Sequence, residues 1–309
     1  MICKHEQETS DRTRPYDFEC VGLLVVKLTS FTFEQFYDVD GIVILAEFVL
    51  LPFAMGIINT YFWKDYDVSG SASWGYGFIS FIIALFGSAF FMGEGYICLI
   101  IVSPLIFLFM MSGIWAGRAI FRQGNNKLNV SVAGAIVAFM AINVAFAGPS
   151  EKVVSDRIVI QASPDQVWKY IVSFPAIEEK PSYWMFRIGL PAPVQSVAEG
   201  EFVGANRQCV FNGGIVFDEK IVELVPGRKL TFDIVKQPED PEIMGHLELR
   251  RGQFVLEDNG DGTTTLIGNS WYDLKVRPSA YFDWWTQDII RAVHIRVMEH
   301  IKALAENDN

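Results

Sequence analysis

Between residues 41 and 148 the chain carries only eight charged side chains in 108 positions: Glu47, Lys64, Asp65, Asp67, Glu94, Arg118, Arg122 and Lys127. The 40 residues before this stretch carry 12 charges, and the 159 from residue 151 onward carry 41. A core helix of a soluble protein rarely stays apolar for 20 residues, whereas ~30 Å of hydrocarbon demands it, since no water reaches the backbone there. The pattern therefore predicts an N-terminal arm (1–40), an all-α transmembrane four-helix domain (41–148) and an ordinary globular domain (151–309). The expected spans are 41–62, 77–92, 96–117 and 130–147, the second being short for a bilayer. Tyr61, Phe62, Trp63, Trp74, Tyr76 and Tyr96 cluster at their ends, as interfacial aromatics do. Gly93-Glu94-Gly95 is a tight break between the second and third spans, reading as a hairpin or a re-entrant pair.

Glu47, two turns into the first span, and Glu94, at the hairpin tip, are the carboxylates to weigh for function, because a charge inside a bilayer is costly. Snorkelling or residence among headgroups accounts for both more simply. Four spans put both tails on one side of a cell membrane. Basic residues near the spans, four against three, place the loops in the cytoplasm and the C-terminal domain outside it. The chain starts with no basic segment, apolar stretch and small-residue cleavage site of a removable signal peptide. The 25 basic and 36 acidic residues leave a net charge of −11, which argues against nucleic acid as the main partner. Four cysteines with no close pair exclude a disulfide scaffold and a thiolate zinc cluster.

After Gly148-Pro149 the pattern changes to short alternating runs. Val153–Ile160 reads as a strand, and Ser163-Pro164 as a helix start with Ser163 as N-cap and Pro164 at the first helical position. Val167, Trp168, Ile171 and Val172 form that helix's apolar stripe. The stretch from Phe174 to Pro193 has no regular period. Further strands are expected at 202–211, 214–225, 229–236, 246–257 and 263–275, with a hairpin turn at Asp258–Gly262. A helix from Ser279 to Ala305 ends the chain, its broad apolar face carrying Phe282, Trp285, Ile289, Val293, Val297 and Ile301.

A strand, an early helix, a run of antiparallel strands and a long C-terminal helix describe an α+β helix-grip domain, a curved antiparallel sheet around that helix. Residues 151–309 resemble the SRPBCC superfamily (START-like, Bet v 1-like), which includes polyketide cyclases/dehydrases and lipid-transport proteins. The matching stretches are Ile158–Ile171 (IVIQASPDQVWKYI), Val222–Phe232 (VELVPGRKLTF) and Gly262–Gly268. More narrowly, Trp184–Pro191, Gly204–Phe211, Trp271–Tyr272 and Ala292–Ile301 resemble membrane-anchored bacterial members of unassigned function. The resemblance implies a hydrophobic cavity between sheet and helix. It implies no particular chemistry, because one fold hosts binders and enzymes alike.

Strand parity suggests the lining of such a cavity. Val203, Ala205, Arg207, Cys209 and Phe211 share one face, as do Leu266, Gly268, Ser270, Tyr272 and Leu274. On the last helix His294 lies between Ile290 and Met298. Arg207, Cys209, Phe211, Tyr272, Trp285, His294 and Met298 are thus the expected ligand-binding residues, with Arg207 and His294 able to meet a ligand carboxylate or enol oxygen. Their more ordinary fates are a pair between Arg207 and Glu219 on the next strand, and a bond from His294 to a neighbouring group. Cys209 reads as a small buried hydrophobe rather than a nucleophile. Tyr281, Phe282, Trp284 and Trp285 either pack the core, close the cavity mouth or rest on the bilayer. HExxH, GxSxG, GxGxxG and Walker sequences are absent, a calcium loop at Glu257–Gly268 lacks its final Glu, and nothing suggests a metal or redox cofactor. The reading is a membrane-anchored domain that binds a hydrophobic small molecule or lipid. A cyclase- or dehydratase-like enzyme using Arg207 with His294 or Tyr272 comes second, and a membrane-tethered protein-interaction module third. The oligomeric state is left open.

Overall fold

The computed structural model describes residues 46–64, 68–92, 95–121, 151–238 and 247–308. The expected fourth span, Glu94, the side chain of Glu47 and the N-terminal arm lie outside the described residues. The chain divides into two units: residues 46–64, 68–92 and 102–121 form one, and residues 95–101 with those from 151 onward form the other.

A short π-helical turn, Ala46–Leu50, leads into α1 (Leu51–Trp63), followed by α2 (Gly70–Met92) and α3 (Tyr96–Phe121), of which residues 102–121 belong to the first unit. Two segments, Gly70–Phe90 and Tyr96–Phe121, are long and apolar enough to cross a membrane, and Phe48–Trp63 is a shorter apolar helix. The second helix starts seven residues before the expected Gly77. Its cap explains this: the Ser69 hydroxyl accepts the Ala72 N–H at 3.2 Å, satisfying a backbone donor at the helix start. The third runs four residues past the expected end at Gly117, whose role is close packing rather than a stop. A Cβ at Gly117 would lie 1.8 Å from Thr60 Oγ1, and Cβ atoms at Gly56 and Gly113 would lie within 2.2 Å of the carbonyl oxygens of Met110 and Phe53. Small residues spaced four apart thus let α1 and α3 meet backbone to backbone, as helices in lipid commonly do. Asn59 Nδ2 donates to Ser80 Oγ at 3.0 Å, a buried bond between α1 and α2.

The second unit is the helix-grip half. Its seven-stranded antiparallel sheet comprises β1 (Lys152–Ile160), β2 (Pro193–Ala198), β3 (Asn206–Phe211), β4 (Val216–Val225), β5 (Lys229–Lys236), β6 (Leu247–Asp258) and β7 (Thr264–Leu274), in spatial order β1-β7-β6-β5-β4-β3-β2. Two short helices, α4 (Pro164–Trp168) and α5 (Trp184–Ile188), precede β2, and α6 (Ser279–Asn307) ends the described chain. Ser163 caps α4 in a capping box with Gln166, and Pro164 takes the first turn. Ile171 and Val172 fall beyond the end of α4, yet both are buried. The turn between β6 and β7 uses Gly260 and Gly262 at φ 77° and 86°, with the Asp258 carboxylate accepting the Gly260 N–H.

Strand β2 and helix α5 lie in and beside the stretch that showed no period. Six residues headed by a proline, with a bulge between Pro193 and Gln195 against β3, are too short to alternate legibly. The buried face of α6 also differs from the expected apolar face. It carries Phe282, Thr286, Ile290, His294, Val297, Met298, Ile301 and Ala305, so Trp285, Ile289 and Val293 sit at its margin. Thr286 and His294 turn inward despite their polarity. The main core, from Ile160 and Ile171 through Leu230, Phe254 and Leu266 to Met298 and Ile301, fills the space between sheet and helix.

Candidate functional site

Beside this core a cavity of about 90 Å3 opens against α6. Phe174, Phe211, Phe217, Phe232 and Phe254 form most of its wall, with Ile234, Leu249, Val293 and Val297 completing the apolar surface. The volume lies well under the ~300–1,000 Å3 of sites that enclose drug-sized ligands, so it suits a small molecule or one end of a longer one. Arg207, Cys209, Glu219, Gln253, Asn269, Ser270 and His294 supply its polar groups, the Gln253 and Asn269 amides being bonded to each other at 3.0 Å.

The structure brings Arg207, Cys209, Phe211 and His294 to this lining. It does not bring the other three expected residues there. Tyr272 is fully buried with Val154 and Ile290, and its hydroxyl donates to Asp283 at 2.6 Å. Met298 is fully buried in the main core. Trp285 packs with Met185, Phe186 and Leu190 in a separate cluster. Within the same aromatic run Phe282 is buried and Trp284 exposed.

Two polar networks reach the cavity. In the first, β3 and β4 pair so that Arg207 lies directly opposite Glu219, and the two side chains form a salt bridge with 2% and 5% exposure. Arg207 Nε also donates to the Val172 carbonyl at 2.9 Å, and the guanidinium lies 4.5 Å from the centre of the Phe232 ring. Gly252, opposite Phe232 on β6, makes room for that ring, since a Cβ there would sit 2.4 Å from it. Burial pushes the Glu219 carboxyl up from its usual range, against the pull of the Arg207 charge and hydrogen bond. Burial likewise pushes the Cys209 thiol up to about 12, with Glu219 adding to the rise and Arg207 opposing it. A neutral thiol of that kind is a poor nucleophile.

The second network joins three elements. Asp156 on β1 stands opposite Gly268 on β7, and α6 passes over both. His294 Nδ1 lies 2.9 Å from Asp156 Oδ2, and its Nε2 lies 2.8 Å from Ser270 Oγ. The other Asp156 oxygen accepts from Arg291 Nε at 2.8 Å. Burial pushes the Asp156 carboxyl up, but the hydrogen bonds and charges of His294 and Arg291 outweigh it and hold the group below its usual range. Gly268 leaves space for the Met298 thioether, since a Cβ there would stand 3.2 Å from Sδ, while it would meet His294 Cγ at an ordinary 3.7 Å.

Sequence reasoning missed Asp156. The signal was present: it occupies the same strand parity as the buried Val154 and Ile160, where a carboxylate needs a partner. Ser270 was placed on the inward face without a role. Among the described residues no three His, Cys, Asp or Glu side chains converge as a metal site requires.

Comparison with known proteins places this half of the chain. The family described as "Polyketide cyclase / dehydrase and lipid transport" matches residues 152–306. No curated protein matches the chain. Among solved structures, norcoclaurine synthase from Thalictrum flavum in complex with dopamine and hydroxybenzaldehyde is similar at 13% identity and TM-score 0.36, covering 54% of this chain and 92% of its own. A START superfamily protein from Mycobacterium smegmatis is similar at 10% identity and TM-score 0.36, covering 52% and 100%. A protein from Nitrosospira multiformis is similar at 18% identity and TM-score 0.34, covering 49% and 94%.

Proposed function

Residues 152–306 make this chain a member of the polyketide cyclase / dehydrase and lipid transport family, and from that premise we propose that it binds a hydrophobic small molecule, or the end of a lipid, at a membrane. The cavity walled by five phenylalanines and bordered by α6 carries this reading. The nearly uncharged stretch 41–148 supplies the anchor, as four spans with the C-terminal domain extracytoplasmic. Tethering beside a bilayer raises the effective concentration of an apolar ligand. The ligand is uncharged. Glu219 already compensates Arg207, so a ligand carboxylate would meet a carboxylate together with the guanidinium.

The cyclase- or dehydratase-like alternative loses one of its residues, because Tyr272 is off the cavity lining, and Arg207 polarises an oxygen less strongly when paired. A photoaffinity experiment tests the binding reading. The full chain, purified in detergent, is irradiated with a diazirine-bearing hexanol and the adducts are mapped on peptides. Adducts on the peptides of Phe211, Phe217 and Phe232, suppressed when Val293→Trp fills the cavity, are the expected result. Adducts confined to the apolar helices would refute it.

A further inference from the structure

The Asp156–His294–Ser270 network has no evident need to line an apolar cavity if its task is only to hold α6 on the sheet. A histidine bonded to a carboxylate alone would do that. Here the second ring nitrogen is given to a serine hydroxyl, and both Ser270 and His294 border the space a ligand would fill. The order of contacts is that of an activated nucleophile: hydroxyl, imidazole at 2.8 Å, carboxylate at 2.9 Å on the far nitrogen. The partners also set the tautomer. Asp156 can only accept, so Nδ1 carries a proton, and in the neutral imidazole Nε2 is then the acceptor for the Ser270 O–H. Arg291, bonded to the other Asp156 oxygen, fixes the carboxylate's orientation.

We propose that Ser270 is the nucleophile, His294 the general base and Asp156 the positioning residue of an acyl-transfer site that hydrolyses a small, neutral, apolar ester held in the cavity. The proposal rests on the reading that the cavity admits an apolar molecule, and it adds a reaction to it. Ser270 Oγ attacks the ester carbonyl carbon while its proton passes to His294 Nε2. The tetrahedral intermediate collapses, the carbon–oxygen bond to the alcohol breaks, and the departing oxygen takes the proton from His294. That leaves an acyl ester on Ser270. Water then attacks the same carbon, giving its proton to His294 Nε2; the bond to Ser270 breaks and the serine oxygen recovers the proton. Ester and water become acid and alcohol, with no change of oxidation state.

An alkyl fluorophosphonate tests this without knowledge of the natural ester, because an activated serine displaces its fluoride and keeps the phosphonyl group. The full chain in detergent is treated with the probe, its mass read intact and the adduct mapped. In parallel p-nitrophenyl butyrate hydrolysis is followed, and the diazirine hexanol reports cavity occupancy in every variant. The expected result is one adduct on Ser270, absent in Ser270→Ala. His294→Gln lowers the labelling rate ~100-fold or more, within the range for a general base. Asp156→Asn lowers kcat at least tenfold with KM within twofold. All three variants retain photoprobe adducts in the cavity. A wild-type chain whose cavity takes the photoprobe while Ser270 stays unlabelled and the ester intact overturns the triad and leaves the binding reading standing. A chain in which neither probe reaches the cavity overturns both.

Discussion

Replacing Arg207 by Met should destabilise the C-terminal half severely, and replacing its partner as well should restore much of the loss. Arg207 and Glu219 are 2% and 5% exposed, so Arg207→Met leaves a carboxylate out of water with no counter-charge. Breaking a buried pair from one side costs about 3–5 kcal/mol, whereas exchanging both members for apolar residues of similar volume is often neutral or stabilising. For a domain of this size 1 kcal/mol moves Tm by about 2–4 °C, so the single variant should melt roughly 6–20 °C lower, and Arg207→Met/Glu219→Leu close to the parent. Thermal unfolding of the full chain in detergent, followed by near-UV circular dichroism, measures both. The pH dependence adds a second reading. Burial already raises the Glu219 pKa above the ordinary 4.5, and removing the guanidinium removes the pull that opposes it. Between the ordinary value and the raised one the folded state then binds more protons than the unfolded state, so stability falls as pH rises across that window. The Arg207→Met deficit should therefore shrink as pH drops from 7 toward 4.5, and the double variant should lack that trend. A single variant within 1 kcal/mol of the parent, or a double variant less stable than the single, would refute the reasoning.

Cys209, with its thiol pushed up to about 12, has a thiolate fraction of about one in 10^4 at pH 8, so iodoacetamide should leave it unmodified in the folded chain and alkylate it after denaturation. Gly268→Val should cost about 1–3 kcal/mol in the same melts, because the added methyls press on Met298 and His294, while Gly268→Ala should cost less, the flexible thioether giving way. Tyr272→Phe removes the hydroxyl that donates to the Asp283 carboxylate and should lower stability by about 1.5–3 kcal/mol without changing photoprobe capture at the cavity. Gly113→Leu should separate α1 from α3, since a Cβ at that position would stand 2.1 Å from the Phe53 carbonyl oxygen; faster proteolysis of the detergent-solubilised chain within α1 or α3 would report it, and an unchanged digestion pattern would contradict it.

Alternation and turn chemistry made most of the sheet legible. Lys229–Lys236 matches its expected bounds, and β6 and β7 end within a residue or so of theirs. These strands have one face on the core and one in water, so each residue states its side. Strand β2 escaped because it is six residues long, starts on proline and carries a bulge. The α6 face was misjudged for a different reason. Hydrophobicity marks what prefers to be buried, and Thr286 and His294 are buried where geometry, and for His294 hydrogen bonding, permits it. The site divides similarly. Arg207 and Glu219 follow from parity and register of adjacent strands, which are local. Asp156 and His294 are 138 residues apart, and only the closure of β1 against β7 under α6 brings them together.

On the proposed binding reading, the two networks constrain the ligand jointly. A cavity containing arginine, glutamate and histidine would ordinarily favour a charged guest, but each of these groups is matched by a partner from a neighbouring element. Inserting an anion would leave Glu219 facing it at low dielectric, and inserting a cation would set it against Arg207; either cost exceeds what a cavity of about 90 Å3 can return through contact with apolar walls. A neutral guest with one hydrogen-bonding oxygen avoids both costs, because it needs a donor without needing a net charge. The same balance explains how polar groups persist among five phenylalanines: each is satisfied before the ligand arrives, so an empty cavity is not penalised by unpaired charge. Selection then falls to shape and to the single oxygen. The variants that should change ligand preference are therefore those that unbalance the charge. Glu219→Gln, which leaves Arg207 uncompensated, should shift capture from a diazirine alcohol toward the corresponding diazirine carboxylate, and equal capture of the two probes by the parent and this variant would contradict the charge argument.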